Sequence, residues 1–186
     1  MADRPARLQT VSMIASTVAA VIASGTAIVA SIQATRAVQG QAQMAIFQRQ
    51  LDSCLGYSHS ARGFGQKFSL VLGVSMLRLK DKDLSPDKDK TFTDTVTQLT
   101  EASEKLVEAT DEIRLVVPDP QVSQSAEQGH RLATQAVFAW QAGYKDAAAL
   151  SRLPDTEQKV ETAFAAVKLS CRTYLADVMG GRQAIR

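Results

Sequence analysis

Aromatic residues are scarce in this chain. Phenylalanine, tyrosine and tryptophan together make up 5% of its 186 residues. Sandwiches and barrels build their strands from aromatic and β-branched residues, so the composition points to helices packed through small side chains. Cysteine is nearly absent too. The two present, Cys54 and Cys171, make neither a disulfide framework nor a thiolate metal cluster. There are two histidines, His59 and His130. The formal net charge is only +2, and the basic residues lack interleaved aromatics. That pattern gives no nucleic-acid footprint. No Gly-x-Ser-x-Gly or P-loop pattern occurs.

Charge is also missing from one long interval. Between Arg7 and Arg36, residues 8–35 carry no charged side chain. About 20 mostly apolar residues cross the hydrocarbon of a bilayer. The stretch is therefore read as a single membrane span, after a short basic N-terminus over residues 1–7. Serine and threonine hydroxyls dilute it, but they can bond back to helix carbonyls. A cleaved signal peptide would have a shorter core ending at a small-x-small site, and a soluble buried helix is the other rival. Within the span, Ala15, Ala19, Ala23, Ala27 and Ser31 recur every fourth residue. Small-xxx-small rows let helices approach closely in lipid, so this face is the candidate for pairing with a second copy or a partner's span. Arg4 and Arg7 precede the span, and Arg36 and Arg49 follow it. The positive-inside rule hardly separates the two orientations.

Residues 36–179 read as a four-helix bundle continuing directly from the span, with a flexible tail over 180–186. The first helix covers about 41–80. Phe47, Cys54, Ala61 and Phe68 share one heptad position, and Leu51, Ser58, Gly65 and Leu72 share another. Gly56, Gly63, Gly65 and Gly73 fall in the same helix. Each costs about 1 kcal/mol relative to alanine, so close helix packing is their expected purpose and "RGFG" the expected weak point. "FSLVLGVSML" is apolar on nearly all faces but too short to cross a bilayer. It should be buried on several sides or covered by another subunit. The second helix, 86–117, carries the clearest repeat, with Phe92, Leu99, Leu106 and Ile113 seven apart. "VPDPQ" ends it. The third helix, 120–150, and the fourth, 155–179, follow after short connections, which makes neighbours antiparallel. The fold expected is all-α: an N-terminal transmembrane helix continuing into an up-down bundle.

Few groupings suggest chemistry. Glu127 and His130 form one Glu-x-x-His pair, where di-iron bundles need two pairs and two further glutamates. A solvated helix face is the better reading. Ser85 and Lys88 match Ser-x-x-Lys without the companion elements of hydrolases, and Ser85 suits a helix cap. Tyr57, Trp140, Tyr144 and Tyr174 could line a bundle pocket, although core filling is the plainer role. No catalytic residue, metal or cofactor is expected, and the chain is read as a non-enzyme.

The segment "EIRLVVPDPQVSQSAE" resembles a pattern in small bacterial proteins that have one N-terminal membrane helix and a helical domain of unknown function. The resemblance implies an anchored helical fold and carries no catalytic residues across.

The cysteines test the expected register. With the turn near Lys82 and the helix start near Asp155 set level, Cys171 lies 16 residues below that height and Cys54 lies 28 below. The offset is about 18 Å at 1.5 Å per residue, whereas a disulfide needs Cα atoms within about 7 Å. Gly65 would then face Cys171. Reduced, buried thiols are expected, which favours a cytoplasmic bundle on the inner membrane. The leading expectation for function is a self-associating, membrane-anchored scaffold or adaptor. Its partners would be the lipid bilayer and a second copy or another membrane helix, with no nucleic acid. A ligand-sensing bundle and a membrane-active, pore-forming effector (antiviral or toxin-like) are the alternatives.

Overall fold

The computed structural model describes the backbone of residues 4–80 and 86–183 and the side chains of residues 38–80 and 86–181. The described residues are all-helical: α1 (Arg4–Lys80), α2 (Pro86–Val116), α3 (Pro120–Gly143), the short α4 (Ala147–Leu150) and α5 (Leu153–Gln183). The chain divides into two units, Met1–Phe47 and Gln48–Arg186. Among the described residues no helix is long and apolar enough to cross a membrane. The side chains of residues 8–35, including Ala15, Ala19, Ala23, Ala27 and Ser31, lie outside the described residues.

The second unit is an up-down bundle. α1 and α2 run antiparallel, joined by Lys67 Nζ donating to Gln98 Oε1 at 2.7 Å and by the Arg78–Asp89 ion pair at 2.8 Å. α2 and α3 meet through Arg114 and Glu127 at 3.0 Å. α3 and α5 share a contact between the Ser125 and Ser170 hydroxyls at 3.3 Å.

The heptads place the core. In α2, Leu99, Leu106 and Ile113 are all buried. Hydroxyls along this threonine-rich helix are satisfied by carbonyls one turn back, as with Thr95 to Thr91 and Thr110 to Leu106, both at 2.7 Å. α1 contributes Cys54, Ala61 and Phe68 from one seam and buries Leu72 from the other, while Leu51, Ser58 and Gly65 sit at the edge. The corner between α2 and α3 is set by Asp119. Its carboxylate accepts from Gln121 N at 2.8 Å and Val122 N at 3.0 Å. Pro120, in the first turn of α3, has no amide to leave unpaired.

Two helix ends differ from the sequence expectation. The third helix stops at Gly143 rather than near 150, because the chain folds back so tightly that a Cβ on Gly143 would lie 2.6 Å from Ala149 Cβ. Asp146 then caps α4, accepting from Ala148 N at 2.9 Å. The turn delivers Leu150 and Leu153 into the end of the core, both buried. At the other end, α5 extends to Gln183, because Gly180 and Gly181 keep helical backbone angles instead of stopping it.

The glycines of α1 also depart from expectation. The helix is unbroken through "RGFG". A Cβ on Gly56, Gly63, Gly65 or Gly73 would meet nothing within 4 Å, so close packing inside the bundle does not explain them.

Candidate functional site

The largest correction to the sequence reading lies where α1 meets α5. Cys54 and Cys171 are joined as a disulfide, with Cα atoms 6.0 Å apart. The register explains the discrepancy. Ser69 donates to Glu157, and the rings of Phe64 and Phe164 are 6.0 Å apart at 90°. α5 therefore begins level with about residue 73 of α1, so α1 overshoots it by roughly two turns. The assumption that both helices reach one height misplaced the cysteines. The overshoot packs instead on the first turns of α2 and the end of α3.

Beside the disulfide, Tyr57 is buried between α1, α3 and α5. Its ring meets Phe164 edge-on at 6.2 Å. Its hydroxyl donates to Ala126 O over a long 3.5 Å. A Cβ on Gly129 would lie 2.5 Å from that hydroxyl and 3.2 Å from Phe164 Cδ1. The absent side chain of Gly129 is what lets the phenol fit. Burial pushes the Tyr57 pKa well above the usual tyrosine range, so the phenol stays neutral and is no nucleophile near neutral pH.

A groove of about 330 Å³ runs along this seam. The disulfide, Tyr57 and Val167 form its floor, and Arg62, Glu161 and Lys168 stand along its edges. Gly65 helps to hollow it, since no neighbour fills the place of its Cβ.

The four aromatic residues proposed from sequence divide between the two ends of the bundle. Tyr57 lines the groove. Trp140, Tyr144 and Phe92 cluster with ring centroids 5.7–6.3 Å apart, Phe92 stacked on Tyr144 and tilted to Trp140, and the Arg78 guanidinium lies 4.4 Å over the Phe92 ring. Trp140 Nε1 donates to Ser75 Oγ at 3.0 Å, and Ser75 Oγ donates to Val71 O at 2.7 Å. Since Ser75 is 18 residues beyond Tyr57 on α1, the two clusters are separated by about 27 Å. Tyr174 is half-buried near the far end of α5.

Glu127 accepts from Arg114 Nε at 3.0 Å, and His130 Nε2 pairs with Thr134 Oγ1 at 3.2 Å. Each member of the Glu-x-x-His pair thus has its own partner. Among the described residues no group of three or more His, Cys, Asp or Glu side chains is placed to hold a metal ion. Ser85 lies outside the described residues.

Sequence reasoning missed the disulfide, Gly129 and the α4 turn. "GYKDAAAL" held the signal for the last, a glycine followed by an aspartate ahead of three alanines. Gly129 falls on the buried face of α3, but its role as a notch for Tyr57 needs the interhelical register. The chain matches no protein-family model, no curated protein and no solved structure.

Proposed function

We propose that this chain is a non-enzymatic scaffold that associates with itself, anchored in a membrane through residues 8–35, with its helical bundle in an oxidising compartment. The observation that carries self-association is the outer face of α1. Leu70 and Leu77 are 47% and 66% exposed, on a segment whose composition calls for cover. The outer side of α2, by contrast, carries Glu101, Glu104, Glu108, Asp111 and Glu112, all exposed. The Cys54–Cys171 bond supports the compartment, since structural disulfides persist where no thiol pool reduces them. It favours a bundle outside the cytoplasm over the cytoplasmic one expected from reduced thiols. With the bundle outside, Arg4 and Arg7 are the inside charges.

Crosslinking of the full chain in native membranes tests the reading. Oligomers are expected, and a strictly monomeric species at cellular levels overturns it. Labelling with a membrane-impermeant maleimide tests the compartment: Cys54 and Cys171 should react only after reduction and denaturation. Immediate reaction of both in denatured, unreduced protein removes the support for an oxidising location. The groove beside the disulfide favours a second reading, a ligand-sensing bundle. A screen for ligand-dependent melting shifts tests it, and no shift across a broad panel removes it.

A further inference from the structure

We propose that the cleft between α2 and α3 is a docking site for an amphipathic helix of another protein, apolar along its inner face and basic along one flank. The site is independent of self-association, which concerns α1. Phe64, Leu106 and Ala133, all buried, floor the cleft, and its hollow is about 200 Å³. Pockets for small molecules run from about 300 to 1,000 Å³. This hollow suits a single large side chain instead. Two apolar side chains stand bare on its rims, Val107 at 40% exposed on α2 and Phe138 at 65% on α3.

Charge selects the occupant. On α2, Leu106 turns to the core on one side of Val107, while Glu104, Glu108 and Asp111 fan out on the other. Glu101 and Glu112 extend the run at its two ends. All five carboxylates are exposed, and Lys105 is the one base between Glu101 and Glu112. Asp111 lies 3.7 Å from Arg114, which Glu127 also holds at 3.0 Å. Glu101, Glu104, Glu108 and Glu112 have no ion pair among the described residues. On the α3 side the cleft is lined by His130, Thr134, Gln141 and apolar residues, with no carboxylate. Such a run of carboxylates repels phosphates and anionic lipid headgroups and attracts lysine and arginine. The carboxylates stand on one bank only, so the partner's basic residues belong on one flank.

Shape selects a helix. The cleft lining on α3 runs from His130 to Gln141, and the carboxylates of α2 run from Glu101 to Glu112. Both tracks are about 16 Å long, three helical turns. A helix lying in the valley between two others anchors through apolar residues three, four and seven apart. Its central anchor would fill the hollow between Val107 and Phe138. Three turns of contact make a transient interface, with a dissociation constant on the order of 10 μM.

The test uses the full-length chain in non-ionic detergent, with protein-free micelles as the blank. The probe is a fluorescent synthetic helix of about 18 residues, with leucine along one face, lysine along one flank and glutamine elsewhere. Anisotropy should show saturable binding that weakens as salt rises to about 0.5 M. A version with glutamate for lysine should not bind, and a scramble without the leucine face should bind about tenfold more weakly. Glu104→Lys/Glu108→Lys should weaken binding about tenfold, and Phe138→Ser about fivefold. All three positions are exposed, so melting temperatures should hold. Glu161→Lys/Asp177→Lys makes the same change of net charge on α5 and should bind like the original chain. A basic probe that fails to bind, or a scramble that binds equally, overturns the proposal. Equal loss in the α5 variant shows bulk charge attraction and overturns the site. Binding that survives both the α2 reversal and Phe138→Ser overturns it too.

Discussion

Opening the Cys54–Cys171 bond is the sharpest perturbation available. The two residues are 117 positions apart. In the chain-entropy account, closing a loop of that length removes about 5 kcal/mol of freedom from the unfolded chain at 25 °C. Measured losses on removing native bonds run from about 2 to 5 kcal/mol, so the entropic figure is an upper bound. The second unit, Gln48–Arg186, holds roughly 140 residues. At about 2.1 cal/mol/K of unfolding entropy per residue, each kcal/mol corresponds to about 3–4 °C. A Cys54→Ala/Cys171→Ala double variant should therefore melt about 7–17 °C lower, with unchanged helicity at 20 °C. Calorimetry of the oxidised protein, the reduced protein and the variant is the assay. Reduced protein and double variant should agree, because both lose the same constraint. Two free thiols in denatured, unreduced protein would refute the constraint assigned to this bond. So would a variant that melts within 2 °C of the oxidised protein.

Other predictions concern the surroundings of that bond and the caps. Gly129→Ala puts a methyl 2.5 Å from the Tyr57 hydroxyl and should cost about 1–3 kcal/mol; Tyr57→Phe removes the clashing oxygen and should recover part of the loss in a double-mutant cycle by urea unfolding. Burial raises the folded pKa of Tyr57 above its ordinary 10.0, so the folded state holds that proton more tightly than the unfolded one. Stability from this group is fully present below pH 10 and falls as pH rises beyond it. Tyr57→Phe should flatten that alkaline fall in denaturant titrations, and an identical slope in both proteins rules out the assignment. Asp119→Ala removes two hydrogen bonds at the start of α3 and should cost about 1 kcal/mol, read as a lower urea midpoint with unchanged slope.

The second helix was legible because Phe92, Leu99, Leu106 and Ile113 repeat without interruption and prolines mark its end. Periodicity fixes which way a side chain faces. It says nothing about the height at which one helix passes another, and that height decides whether Cys54 meets Cys171. Sliding α5 along α1 leaves every stripe intact while changing all its partners. The register rests on features with little sequence signature, such as the α4 turn burying Leu150 and Leu153, and the phenol of Tyr57 seated at Gly129. The glycines of α1 were legible as costly residues. Their lack of an internal role became visible only when their surroundings were drawn.

The bond between α1 and α5 also sets how the bundle carries load. Tension applied between the N-terminal segment and the C-terminal end of α5 enters at Cys54 and leaves at Cys171, through one covalent bridge. The 117-position loop between them is bypassed. At about 3.5 Å per residue, it would add roughly 400 Å of extension on unravelling. Oxidised, the protein withholds that length and acts as a short strut; reduced, the same chain becomes an extensible tether.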